Sequence, residues 1–193
     1  MSTGSDRQHS GIEDFWGEIP PSEHLVQIYQ DDGVILDALE GFVSGGLRTG
    51  DCVLVIATAA HLRALEARLT AQGVDVWAAR GRDQYIPMDA EDALAQFLVK
   101  GWPDAELFEQ LVTDLLARAR RNGRRVRAFG EMVAFLWGQG HNGATVRLEH
   151  LWHRLCQTEG FSLFCAYPRI GFTQDAEASI RDICALHSKV IAA

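Results

Sequence analysis

An α/β fold with a mostly parallel sheet and helices on both faces is what this sequence predicts, and two observations predict it. Short runs such as CVLVIA at 52–57 and FSLFCAYP at 161–168 are apolar almost without a break, which for a strand means burial on both faces. These runs alternate with longer segments whose apolar residues recur at helical spacing, and that alternation is the signature of a sheet built from crossover units. The chain of 193 residues is long enough for one well-buried core and short for two. Residues 22–193 are therefore read as a single domain. Residues 1–21, rich in Gly, Ser, Pro and charge, are read as a loosely held tail in which only Phe15 and Trp16 are able to dock.

HLVQIYQ opens the first β-like run. The clearest unit begins at LRTGDCVLVIAT, a Gly turn into a buried strand, followed by AAHLRALEARLTAQG with Leu62, Leu65 and Leu69 on one face and Gly73 as its stop. VDVWAA at 74–79 reads as a second buried strand. After RGRDQYIPMD comes a helix with the stripe Leu94, Phe97 and Leu98, for which Asp89 is a plausible N-cap. GWPD breaks the chain, and AELFEQLVTDLLARARRNG is a long amphipathic helix with Leu107, Phe108, Leu111, Val112 and Leu115 facing inward, ended by Asn122-Gly123. RVRAF is a strand that runs through Gly130 into Glu131 and an apolar helix. A further helix carries the stripe Leu148, Leu151, Trp152 and Leu155, FSLFCAYP is the last strand, and DAEASIRDICALHSKVI reads as the last helix.

The net charge of −8 argues against a phosphate-dominated grip on nucleic acid. The local run Arg118, Arg120, Arg121, Arg124 and Arg125 ends a helix, where cations suit the dipole, and is read as a solvated face. Four widely spaced cysteines without a C-x-x-C read as reduced core thiols, and with no export signal and no membrane-length apolar run the expected location is cytoplasmic, off the membrane.

A phosphate loop requires consecutive backbone N–H groups and a Lys, as in G-x-x-x-x-G-K-[ST]. The loop after the 52–57 strand reads ATAAHLR, with neither Gly nor Lys, which speaks against nucleotide hydrolysis. EHLWH places His150 and His153 on one helix, but the zinc-protease helix needs H-E-x-x-H. Glu149 and His153 share one side while His150 turns away, and they are read as boundary polar residues beside the apolar stripe. Cys184 and His187 in ICALHS share a helical face, yet two ligands from one helix make no zinc site without two more from elsewhere. His187 is read as a hydrogen-bonded core residue, with ligand sensing as its other role. No G-x-S-x-G elbow and no zinc-deaminase pattern is present. No catalytic residue, metal or cofactor is assigned.

The order of HLVQIYQDDGVILDALEGFVSGGLRTGDCVLVIAT, FGEM, RLEHLWHRL, LFCAYP and ICALHSKVI resembles the MEDS family, the methanogen/methylotroph DcmR-like sensory domains, from about His24 to the C-terminus. The resemblance implies a RecA/KaiC-like three-layer sandwich that has lost its phosphate loop and serves as a sensor of small molecules, hydrocarbon derivatives in particular. It implies output through a DNA-binding protein, an anti-sigma factor or a kinase. This chain stops at Ala193, just after the last motif, so the signal is expected to leave through a partner protein or a homo-oligomer interface.

Ligands of open α/β sheets settle beyond the C-terminal strand ends. The expected site is therefore that edge, with His61, Arg80, Arg82, Tyr85, Glu131 and Tyr167 as ligand-binding residues beside Asp83 and the sensing candidate His187, and with Trp77, Phe129 and Phe164 near it. Glu131 is expected to be partly buried there and held by Arg80, Arg82, Arg127 or Tyr167. Non-enzymatic sensing leads, and a divergent RecA-type nucleotide-binding protein or ATPase using Glu131 is the alternative.

Overall fold

The computed structural model describes residues 16–17, 19–169 and 177–191; the expected tail therefore lies outside the described residues except at its end, where Trp16 docks as anticipated, buried against Phe42 and Phe164. The described elements run in the order β1 (His24–Tyr29), α1 (Asp32–Thr49), β2 (Cys52–Ala57), α2 (Ala59–Ala71), α3 (Val76–Gly81), β3 (Tyr85–Asp89), α4 (Ala90–Phe97), β4 (Leu98–Val99), β5 (Trp102–Pro103), α5 (Ala105–Ala119), β6 (Val126–Gly130), α6 (Met132–Gly138), α7 (Asn142–Glu159), β7 (Ser162–Pro168), α8 (Glu177–Leu186) and β8 (Lys189–Ile191). Six strands form one sheet in the order β3-β2-β6-β7-β1-β8, every pair parallel.

Alternation along the strands builds the two outer layers. In β2, Cys52, Leu54 and Ile56 pack with α4, α5, α6 and α7 on one face, whereas Val53, Val55 and Ala57 pack with α1 and α2 on the other. This is the three-layer sandwich with helices on both faces that the apolar runs predict. The expected helical stripes at Leu65/Leu69, Phe108/Val112 and Leu148/Trp152 are buried. Leu107 departs from its stripe and faces solvent.

Two segments differ from the sequence reading. VDVWAA is a helix, α3, capped by Asp75, whose side chain accepts from the Ala78 N–H. A buried strand there would need both faces covered, and Trp77 is 86% exposed; the two alanines and Arg80 suit a short helix better than a strand. The strand of this unit is instead YIPMD, eleven residues further on from the start of VDVWAA at Val74 and beginning at Tyr85. The predicted last helix ends at Leu186, and Lys189–Ile191 pair with β1 as a sixth strand; residues 175 and 176 of that predicted helix lie outside the described residues. GWPD closes a two-stranded antiparallel ribbon, β4–β5, turned by Lys100 and Gly101 with φ of 52° and 78°, the pair of left-handed residues that suits a tight hairpin.

Helix caps follow the acidic residues. Asp31, Asp89 and Asp104 each accept two backbone N–H groups at the starts of α1, α4 and α5, and the Asp89 cap is as the sequence predicts. At Gly33 in the first of these turns, a Cβ would come within 2.9 Å of the capping Asp31 carboxylate, so a larger residue there would displace the cap. Replacing Asp31 by Ala is expected to lower stability by about 1 kcal/mol, measured by urea unfolding, and a change indistinguishable from zero would show the cap to be dispensable.

Candidate functional site at the carboxyl edge of the sheet

The strand order places a topological switch between β2 and β6. These neighbours pair in parallel, but the chain leaves β2 toward β3 at one end of the sheet and leaves β6 toward β7 in the other direction. Their following helices, α2 and α6, lie on opposite faces, the arrangement in which the loops of an open parallel sheet diverge at the strand ends. Thr58 stands after β2 and Glu131 after β6.

Glu131 is buried here. Its own N–H bonds the Ile56 carbonyl at 2.8 Å, which fixes the backbone against the neighbouring strand. The carboxylate accepts from the Thr58 N–H at 2.8 Å through Oε2 and meets His61 Nδ1 at 2.7 Å through Oε1. The other ring nitrogen of His61 stands 3.7 Å from the exposed Asp32 carboxylate. The hydrogen bond to Glu131 raises the His61 pKa above its ordinary 6.5, with burial opposing and Asp32 adding to the rise. The imidazole is thereby held between two carboxyl groups, one buried and one facing water. Tyr29, at the end of β1, has its hydroxyl pKa raised by burial and then by Glu131 and Asp32.

Because the folded pKa of His61 is raised, its pairing contributes stability fully below the ordinary value of 6.5 and loses it as pH climbs through the folded value. Wild type should therefore exceed His61→Gln in stability by most on the acidic side of 6.5, the difference shrinking as pH rises above it. Unfolding curves across that range, with the imidazole followed by NMR, check this; a difference that grows with pH would contradict the clamp.

Of the predicted site residues, His61 and Glu131 stand together at this edge, and the rest do not join them. Glu131 is buried at the predicted edge, but its partners are Thr58 and His61 rather than Arg80, Arg82, Arg127 or Tyr167. Because VDVWAA is a helix, the RGRDQY segment precedes strand β3 instead of following a strand. Tyr85 consequently pairs with Val53 at the opposite, amino end of the sheet. Arg80 pairs with Glu66 at 3.2 Å on the surface, and Arg82 lines an open groove of about 850 Å³ between α1, α2 and α3. Asp83 pairs with Arg118. Phe129 and Phe164 pack on each other inside the core, and Trp77 points into solvent.

Tyr167 and His187 belong to a second cluster, on the α7 face of the sheet. The Tyr167 hydroxyl donates to Glu149 Oε1. Glu149 Oε2 lies 3.5 Å from His24 Nε2 and 3.6 Å from His187 Nε2. The His24 nitrogen also lies 3.5 Å from Cys165 Sγ. Glu149 is fully buried, so the sequence reading of a boundary polar residue is corrected: the helix turns it inward between β1, β7 and α8. Burial pushes its carboxyl up to about 8, against the pull of the Tyr167 hydrogen bond. Burial likewise holds His24 down to about 2 and His187 down to about 4. Sequence reasoning missed His24 altogether. The H-L-V-Q pattern at the start of a strand gives no sign that its first residue is buried opposite α7.

The fold is an α/β three-layer sandwich, and the chain belongs to the MEDS family, the MEthanogen/methylotroph, DcmR Sensory domain, whose model matches residues 23–188. No curated protein matches the chain. Its role is accordingly sensory and regulatory. Among the described residues no helix is long and apolar enough to cross a membrane.

Proposed function

We propose that this domain is a non-enzymatic sensor that binds a small molecule, a hydrocarbon derivative with a polar anchor, at the carboxyl edge and reports through a partner protein or a second copy. In this reading a RecA-like sandwich keeps its ligand edge and has given up nucleotide chemistry. The observation that carries it is the Glu131–His61–Asp32 clamp at the switch point, with Glu131 buried, His61 partly covered and the Asp32 carboxylate open to a ligand.

The same edge is hostile to phosphate. Helix N-termini bind anions through their free N–H groups, but at α1 and α4 those groups are taken by Asp31 and Asp89, and at α2 by the Thr58 hydroxyl. The ATAAHLR loop supplies no Lys, and Asp31, Asp32, Asp89 and Glu131 make the edge negative. A ligand that donates a hydrogen bond to Asp32, or displaces it from His61, fits this field; a nucleotide triphosphate does not. For output, the hairpin and the helix turn after it present Val99, Trp102 and Leu107 to solvent.

A thermal-shift screen of short-chain alcohols, amines and halocarbons, run beside MgATP, tests the proposal. Stabilisation by members of the first set and no MgATP turnover is expected. Turnover that survives repurification and vanishes in Glu131→Gln would replace the sensor with the ATPase alternative.

A further inference from the structure

The cluster between β1, β7, α7 and the end of α8 has the composition and shape of a metal centre. We propose that His24, Glu149, Cys165 and His187 bind a divalent transition metal, zinc above all, as a closed four-ligand site.

The four donor atoms all lie within 4.8 Å of one another. Zinc holds nitrogen, oxygen and sulfur ligands at about 2.0–2.3 Å in a tetrahedron, whose edges are then roughly 3.3–3.8 Å. The separations here are 3.5 Å for His24 Nε2 to Cys165 Sγ, 3.5 Å for His24 Nε2 to Glu149 Oε2, 3.6 Å for His187 Nε2 to Glu149 Oε2 and 3.9 Å for Cys165 Sγ to Glu149 Oε2. These four separations lie at or within about 0.1 Å of tetrahedral edges, and the remaining two pairs fall within 4.8 Å. The two imidazole–carboxylate separations are too long to be good hydrogen bonds.

His187 points to a ligand most directly. Its side chain is fully buried, and Nε2 makes no hydrogen bond. Its Nδ1 stands 2.6 Å from the Ile183 carbonyl, an acceptor only, so the proton belongs on Nδ1 and the lone pair of Nε2 is turned into the cluster. That is the arrangement by which a backbone carbonyl fixes the tautomer of a metal-bound His. Glu149 is oriented in the same manner, since Tyr167 occupies Oε1 and leaves Oε2 for the metal.

Mixed imidazole, thiolate and carboxylate donors in tetrahedral array favour zinc over magnesium or calcium, which take oxygen ligands and higher coordination. Four protein ligands and full enclosure leave no open position for a water, so the site is structural or regulatory. The metal would tie the α8–β8 junction to β1, α7 and β7, with Ser188 already bonded to the His24 backbone. Binding would release the Cys165 thiol proton and any proton on Glu149. The inference stands on these contacts and is independent of the ligand proposed at the carboxyl edge.

The test uses the full chain, made without a histidine tag. Metal analysis should find zinc at about one ion per chain, and the chelated protein should take up Zn2+ with a rise in melting temperature. Loaded with Co2+ alone, it should show the intense visible bands of a tetrahedral ion and an ultraviolet thiolate charge-transfer band. Cys165→Ser should lose the ultraviolet band, Tyr167→Phe should keep it while binding Zn2+ about 10–100-fold more weakly, and His150→Ala, at an exposed position one residue from Glu149, should behave as wild type. If Cys165→Ser does not fold, the wild-type cobalt spectrum decides alone. Weak, octahedral-type bands without a thiolate transition, or Zn2+ that neither binds stoichiometrically nor stabilises, would overturn the site.

Discussion

Replacing Arg127 by Met should lower the free energy of unfolding by about 3–5 kcal/mol, the cost of stranding the partner of a buried ion pair. Arg127 is 1% exposed in the middle of the sandwich. Its Nε donates to Asp51 Oδ2 at 2.6 Å, and Nη2 donates to the Gly17 carbonyl at 2.8 Å and the Thr49 hydroxyl at 3.2 Å. Nη1 donates to the Trp16 carbonyl. Met has similar bulk and none of these donors, so the buried Asp51 carboxylate would keep only Arg125 and Thr49 as partners. Trp16 would lose the bond that seats it on Phe42 and Phe164. The paired change Arg127→Met with Asp51→Leu should recover much of the loss, because it removes both buried charges together. Urea unfolding measures both. A single variant within about 1 kcal/mol of wild type, as for an exposed pair, would show that the Arg127 network is not structural.

Glu131→Ala should cost about 2–3 kcal/mol and abolish the response to any edge ligand. The residue satisfies a backbone N–H and the His61 ring at once, and hydrogen bonds to charged groups are worth roughly 1.5–3 kcal/mol net. Removing it leaves His61 facing Asp32 alone, so the His61 pKa should fall toward its ordinary 6.5. Glu131→Gln separates the two effects. It keeps an acceptor for Thr58 and should recover part of the stability, but it removes the charge that raises the His61 pKa, so the ligand response should stay lost. Full ligand response in Glu131→Gln would assign the clamp to structure alone.

Long apolar periodicity made most of the fold legible. CVLVIA, RVRAF and FSLFCAY are buried strands because no polar residue interrupts them except where a partner is built in, as at Arg127. VDVWAA failed because six residues cannot distinguish a buried strand from a short helix by apolarity alone, and the deciding fact, an Asp75 cap with Trp77 outside, is tertiary. That one error carried Arg80, Arg82 and Tyr85 to the wrong edge of the sheet. KVI was lost because three residues pair only in the presence of β1.

For the site, Glu131 was legible from its place after a strand and a Gly, since that position falls at the carboxyl edge of a parallel sheet. Its partners were not. Arg127 lies four residues earlier, about 13 Å away along an extended strand, and is held at the other end by Asp51. The requirement that Cys184 and His187 find two more ligands is sound chemistry, but the residues that gather around His187 come from β1, α7 and β7, at separations no spacing rule spans, and Cys184 is not among them.

The central claim, a sensor edge at Glu131 that refuses nucleotide, is tested most directly by an NMR titration of the isotope-labelled chain. The best-stabilising member of the alcohol, amine and halocarbon set is added in one series and MgATP in another. The account predicts saturable shifts for the first series at the amides of Asp31–Gly33, Thr58–Leu62 and Glu131, lost in Glu131→Gln, with no comparable shifts from MgATP. Saturable MgATP shifts at those same amides, or ligand shifts confined to the groove between α1, α2 and α3, would contradict it.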